Sequence, residues 1–199
     1  MSIERETVMQ GEDRVSDVKF EQKTQYTVED LIEIVRILRS PGGCPWDREQ
    51  THRSIRKNLI EETYEVAEAI DLEDAALLRE ELGDLLLQVV LHARMEEEEG
   101  RPGFDGVCDG ICKKLIERHP HVFGGVQVNS TGDVLGNWER IKQRSKGQTT
   151  VSETLRSVPG TLPALMRAQK VQQRTARVGL TPSDAEWAMG DLRAEMAEL

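Results

Sequence analysis

Leu31, Ile34, Val35 and Leu38 recur at the spacing of one helical face, and most of the chain up to residue 119 keeps that period. Thr27, followed three residues later by Asp30, marks a helix start as a variant capping box. Pro41, Gly42 and Gly43 stop this helix, and "CPWD" at 44–47 reads as a rigid turn. A second helix is predicted from about Thr51 to Ile70 and a third from about Asp74 to Glu98. In the third, Leu78, Leu82, Leu85, Leu86, Val89 and Val90 form the broad stripe of a bundle helix. A fourth covers about Phe104 to His119 and is stopped by Pro120. The Gly-rich stretch 123–136 reads as strand-like or irregular, and "NWERIKQRSKG" after it as a short basic helix. Four helices with short links predict an all-α, four-helix-bundle-type domain over residues 26–148.

The ends behave differently. Residues 1–25 alternate in charge without apolar periodicity, which predicts a disordered tail. Residues 149–199 open with turn signals, continue as the basic helix "LPALMRAQKVQQRTARVGL" and end in a helix starting near Ser183, a linker and helical extension.

Composition adds exclusions. Of the 199 residues, 31% are charged, 38% hydrophobic and only 4% aromatic, a balance that favours helices. A net charge of -10 argues against binding a nucleic-acid backbone. No apolar run approaches the roughly 18 residues of a membrane span, and the N-terminus lacks the apolar core of a signal peptide. The three cysteines, Cys44, Cys108 and Cys112, are an odd number; reduced thiols in a cytoplasm fit better than a disulfide scaffold. Cys108 and Cys112 are expected to be small core residues.

The candidate chemistry lies in "NLIEETYEVAEAIDLEDAALLREELGDLLLQVV", residues 58–90. Glu62 and Glu65 share a face of the second helix, and Glu81 and Asp84 a face of the third. The link centres near Glu73. Glu65 and Glu81 are each eight residues from it, and Glu62 and Asp84 each eleven. In an antiparallel hairpin the four carboxylates therefore face one another, roughly 12 to 16 Å from the turn at about 1.5 Å per residue. Converging carboxylates repel and call for compensation, for which hard divalent cations such as Mg²⁺ or Mn²⁺ are suited. Mg²⁺ shares its coordination with substrate phosphates, so the pattern points to metal-dependent phosphate chemistry. A solvated helix face is the competing reading; it suits Glu68, Glu80 and the run Glu96 to Glu99. Gly83, unfavourable by about 1 kcal/mol in mid-helix, is expected where the helices approach closely. A di-iron centre would need paired Glu-x-x-His motifs. Glu49 and His52 form one without a partner, and His92 has no glutamate three residues before it.

"EETYE" followed by "EELGD", with "GCPWD", "EQTH", "LLLQVV" and "KKLIERHPHVFG" around them, resembles the MazG family of all-α nucleoside triphosphate pyrophosphohydrolases over roughly residues 27–145. The resemblance implies a dimerising helical bundle that hydrolyses a nucleoside triphosphate, with Mg²⁺, to the monophosphate and pyrophosphate. It implies metal ligation by Glu62, Glu65, Glu81 and Asp84; Glu61 matches the first Glu of the motif and is expected to take part in catalysis, supporting the metal ligands or orienting water. Asn58, Lys114, Arg118, Trp138 and Lys142 match positions near the nucleotide. Trp46 is expected to anchor packing, and His119 and His121 to serve the helix stop at Pro120.

The extension resembles the opening of a second, incomplete MazG domain. Glu195 and Glu198 repeat the spacing of Glu62 and Glu65, but no ExxD partner follows. House-cleaning of non-canonical or excess nucleotides is the leading expectation. A narrower dUTP/dCTP or phosphoribosyl-ATP pyrophosphohydrolase is the alternative within the superfamily, and a catalytically silent dimeric interaction protein the alternative outside it.

Overall fold

The computed structural model describes residues 20–145, 147–180 and 183–198; most of the tail expected at 1–25 lies outside them. The described residues are all-α, without a strand, in two compact units that divide between residues 112 and 113.

In the first unit, α1 (Val28–Leu38) starts where its capping box predicts, Thr27 accepting from the Asp30 amide while Asp30 accepts from that of Thr27. Gly43 lets the chain fold back over the end of α1, since a Cβ there would collide with the Ile37 and Leu38 carbonyls. The "CPWD" turn is instead the start of a short helix, α2 (Pro45–Glu49). Pro45 occupies a first-turn position, where a missing N–H costs nothing. Trp46, expected to anchor packing, is 59% exposed. The side of α2 that faces the protein presents carbonyls instead: Arg39 donates to those of Asp47 and Gln50 while its guanidinium meets Glu98 at 2.7 Å.

The second predicted helix begins late, as α3 (Arg56–Asp71), because Thr51 and Ser54 exchange side-chain–backbone hydrogen bonds that hold 51–54 in a turn. It ends in a Schellman motif: the Asp74 amide donates to Ala69 O and the Glu73 amide to Ile70 O, both at 3.1 Å. Glu73 adopts φ 54°, the left-handed conformation that normally favours glycine. Asp74 then caps α4 (Ala75–Glu98), accepting from the Ala76 and Leu77 amides. The hairpin thus turns at Glu73, as its carboxylate spacing predicts. Beyond it, α5 (Phe104–Arg118) follows.

The core sits at the end of the hairpin away from the turn. Val35, Ile55, Val90, Leu91 and Met95 are buried together, with Leu31, Ile32, Leu87 and Phe104 against them. Each such aliphatic side chain contributes about 1.5–3 kcal/mol of burial free energy. Gly83 is not a site of close helix approach: it lies on the outward side of α4, and a Cβ added there meets nothing within 4 Å. Cys44 and Cys108 are half-buried, but Cys112 is exposed rather than in the core.

In the second unit, α6 (Pro120–Phe123) precedes an irregular stretch at 124–130, as expected there, but α7 (Thr131–Ser145) starts before Gly136. Pro120 at the first turn starts one helix where it stops another. The His119 ring bonds to Leu115 O at 2.6 Å, consistent with a helix-stop role. The extension comprises α8 (Val151–Arg156), α9 (Ala164–Ala176) and α10 (Ala185–Glu198). Arg174 of α9 ties down the end of α8 through Thr154 O and the Ser157 hydroxyl.

Candidate metal centre

The carboxylates come together because two independent signals agree. The i, i+3 spacing puts each pair on one face of its helix, and the turn at Glu73 sets the register that brings the faces opposite. Glu62, Glu81 and Asp84 each offer an oxygen within 4.8 Å of the others. Glu65 lies close enough to Glu62 to raise its pKa, although it is outside that tight trio. Glu62 and Glu81 are half-buried, Glu65 and Asp84 exposed.

The electrostatics are those of unneutralised acids. Burial pushes Glu62 above the ordinary carboxylate range, helped by Glu65 close by and by the charges of Asp84 and Glu81. Burial likewise raises Glu81, with Glu65, Glu80 and Asp84 adding repulsion. Among the described residues of this unit, no arginine or lysine pairs with any of the four. The donors are all carboxylate oxygens, on two rigid helices and with no soft ligand among them. Such a set fits a hard divalent ion far better than a soft one.

The other expected site residues fall into two groups. In the first unit, Glu61 is exposed on α3 beside Glu62 but outside the trio, and Asn58 is half-buried one turn earlier. In the second unit, Arg118 of α5 and Lys142 of α7 lie over the Trp138 ring, 5.1 and 4.7 Å from its centroid. Lys114 is exposed one turn before Arg118. The structure thus brings two cations, Arg118 and Lys142, onto one indole, and shows no contact of Lys114 with it.

Histidine chemistry takes a different form from a di-iron site. His52 finds a partner in His92, Nδ1 to Nδ1 2.7 Å with the rings parallel, and its Nε2 lies 2.9 Å from Glu96. Burial and the nearby His52 hold His92 below the usual imidazole value. Periodicity within one helix does not reveal this pair, because the two rings come from different elements. Gln88 stands fifteen residues after Glu73, as Asn58 stands fifteen before it.

Comparisons with known proteins agree with this geometry. The family profile of the MazG nucleotide pyrophosphohydrolase domain matches residues 50–123, the hairpin and α5 included. A protein of Bacillus subtilis called "Uncharacterized protein YabN" is 49% identical over 159 residues, 80% of this chain and 32% of that protein. The Escherichia coli nucleoside triphosphate pyrophosphohydrolase is 49% identical over 153 residues, 76% of this chain and 58% of its own length. The Thermotoga maritima nucleoside triphosphate pyrophosphohydrolase/pyrophosphatase MazG is 42% identical over 171 residues, 86% of this chain and 65% of its own. The chain therefore spans from about a third to just under two thirds of the length of these relatives. With the profile laid across the carboxylate hairpin and this degree of identity, the chain belongs to the MazG family.

Proposed function

We propose that this chain is a Mg²⁺-dependent nucleoside triphosphate pyrophosphohydrolase, converting NTPs or dNTPs to the monophosphate and pyrophosphate, with house-cleaning of non-canonical or excess nucleotides as its role. The observation that carries the reading is the trio of carboxylate oxygens within 4.8 Å of one another, with the charge of Glu65 close by. Glu62, Glu65, Glu81 and Asp84 would hold Mg²⁺, with Mn²⁺ as a substitute. When bound, the ion would polarise a phosphoryl group and lower the pKa of a coordinated water.

The chain's own residues do the rest. The four carboxylates give a rigid anionic seat that only a cation-bearing ligand can neutralise, so a free triphosphate is repelled and its metal complex accepted. Glu61 is assigned the orientation of the attacking water. Lys114, Arg118 and Lys142 are assigned to the phosphates and Trp138 to the nucleobase, in keeping with the cation–indole cluster. We also propose a homodimer, supported by a mirrored apolar patch on the hairpin. Ile60 stands opposite Leu86 and Tyr64 opposite Leu82, all exposed on the chain taken alone.

A panel of canonical, deoxy and damaged nucleotides, with and without Mg²⁺ and with released pyrophosphate measured, tests the activity. Pyrophosphate release from several bases supports the broad reading. Turnover of dUTP and dCTP alone, or of phosphoribosyl-ATP alone, supports the narrow one. No turnover of any substrate would leave a dimeric interaction protein.

A further inference from the structure

Gln88 is a polar residue in the wrong company. It is only 6% exposed, and its side-chain oxygen is buried without a hydrogen-bond partner. A buried carbonyl oxygen left unpaired is costly, and native proteins rarely keep one without a ligand, a water or a function to meet it.

Its place in the hairpin suggests which. Viewed down α4, Gln88 projects within about 20° of Glu81 and about 40° of Asp84, one turn farther from the Glu73 link. Asn58 holds the equivalent place on α3, one turn before Glu62. The hairpin is therefore layered. Moving away from Glu73, Glu65 faces Glu81, Glu62 faces Asp84, Asn58 faces Gln88, and Ile55 faces Leu91 in the buried core. A neutral carboxamide layer lies between the carboxylates and the apolar core. On the other side of the carboxylates, toward the link, Glu68 and Glu80 are charged and exposed and offer no neutral, sheltered surface.

We infer that Gln88 reads the nucleoside part of the substrate, its Oε1 accepting a hydrogen bond from a nucleoside donor. The proposal rests on the triphosphate reading above and deepens it. Phosphate oxygens at neutral pH are acceptors and cannot satisfy a carbonyl, so the polyphosphate is excluded as the partner. A nucleoside offers two kinds of donor, a ribose hydroxyl or a base N–H. With the phosphates at the carboxylates, the nucleoside extends over the next layer, about 6 Å away at one helical turn. Asn58 shares that layer and supplies a second carboxamide.

Gln88→Met keeps the volume of the side chain and removes the carbonyl. The measurement is kcat and KM for ATP, GTP, CTP, UTP and their deoxy forms, together with the inhibition constant of inorganic tripolyphosphate as a competitor lacking any nucleoside. The expected result is a loss of about tenfold or more in kcat/KM for the preferred nucleotide, as for a site built to pair with a polar group. Inhibition by tripolyphosphate stays unchanged. If the donor is the ribose 2′-hydroxyl, the variant loses any preference for NTP over dNTP. If it is a base N–H, the variant levels the bases and keeps the sugar ratio.

Equal losses for nucleotides and tripolyphosphate would overturn the proposal, because Gln88 would then act on the metal or the phosphates. So would unchanged kinetics on every substrate with only the melting temperature moved. If Gln88→Met fails to fold by circular dichroism, Gln88→Asn decides the matter. It retracts the same carboxamide by one methylene and is expected to weaken nucleotides but not tripolyphosphate. Wild-type inactivity toward every triphosphate would instead break the activity reading, and this proposal with it.

Discussion

The two ends of α4 carry acids with opposite fates. Near the Glu73 link, Glu81 and Asp84 meet Glu62 and no cation among the described residues of their unit. At the far end, arginines answer every acid from 96 to 99. Arg101 takes Glu96 and Glu99, Arg94 takes Glu97 and Glu98, and Arg39 takes Glu98 as well. Glu97 to Glu99 are exposed, as expected of a solvated face, and the run is also ion-paired in a network that fastens α1, α2 and the 100–103 turn to α4. Two acidic stretches of one helix thus do different work. Acids matched by internal cations hold the fold together, whereas unmatched, converging acids are a demand for a cation from outside.

The largest effect that could break this contrast is at the unmatched end. Glu62→Ala should lower Mg²⁺-dependent pyrophosphate release by roughly two to three orders of magnitude, the scale of removing a group that stabilises transition-state charge. Circular dichroism should show an intact fold, and the metal-free variant should melt no lower than wild type, since a repelling charge has gone. Unchanged release would refute the site.

At the matched end the opposite pattern is expected. The Arg39 side chain is 6% exposed, so Arg39→Met leaves Glu98 with Arg94 alone, the Asp47 carbonyl with the Gln50 amide alone, and the Gln50 carbonyl without its Arg39 donor. Urea unfolding should show a loss of about 2 kcal/mol, the scale of leaving a sheltered carbonyl without its donor while Glu98 keeps Arg94. A loss below about 1 kcal/mol would demote the network to surface decoration.

Titration separates the ends by sign. Glu62 and Glu81 have folded values above the ordinary 4.5, so the folded state holds their protons more tightly than the unfolded chain. Their contribution is present below the ordinary value and is lost as pH rises through the raised ones. Glu96 is drawn down from 4.5 to about 2 by its bond to Arg101, so its contribution is present above 4.5 and lost as pH falls toward about 2. Mg²⁺ should therefore stabilise the protein more at pH 8 than at pH 5. Calorimetric Mg²⁺ titration and urea midpoints across pH, with and without the ion, measure both slopes. Equal Mg²⁺ affinity at the two pH values would remove the raised carboxylates from the binding site.

The smallest effects concern the hairpin between the two ends. Glu73→Gly should stabilise by about 1 kcal/mol or less, because glycine adopts the left-handed conformation freely. Gly83→Ala should do the same by about 0.5–1 kcal/mol in the monomer, since the added methyl meets nothing. Light scattering sharpens the second test: if Gly83→Ala weakens a dimer, the glycine serves an approach between copies.

Much of this was legible in one dimension. The capping box at Thr27, the cap at Asp74, the hairpin and the register of its carboxylates all follow from local spacing, because helix period and turn position are short-range properties. Local rules failed where a distant group competed. Arg39 claimed the α2 carbonyls and left Trp46 outside, and Thr51 with Ser54 delayed α3.

By itself, then, the sequence determined an all-α chain whose turn at Glu73 mirrors Glu62, Glu65, Glu81 and Asp84, since 3.6-residue periodicity and one link suffice for that. Only the tertiary structure decided which acids find arginines, that His52 meets His92, and that the Gln88 side-chain oxygen is buried without a partner. Each of those depends on what a second element brings alongside, and no spacing within a single helix encodes its neighbour.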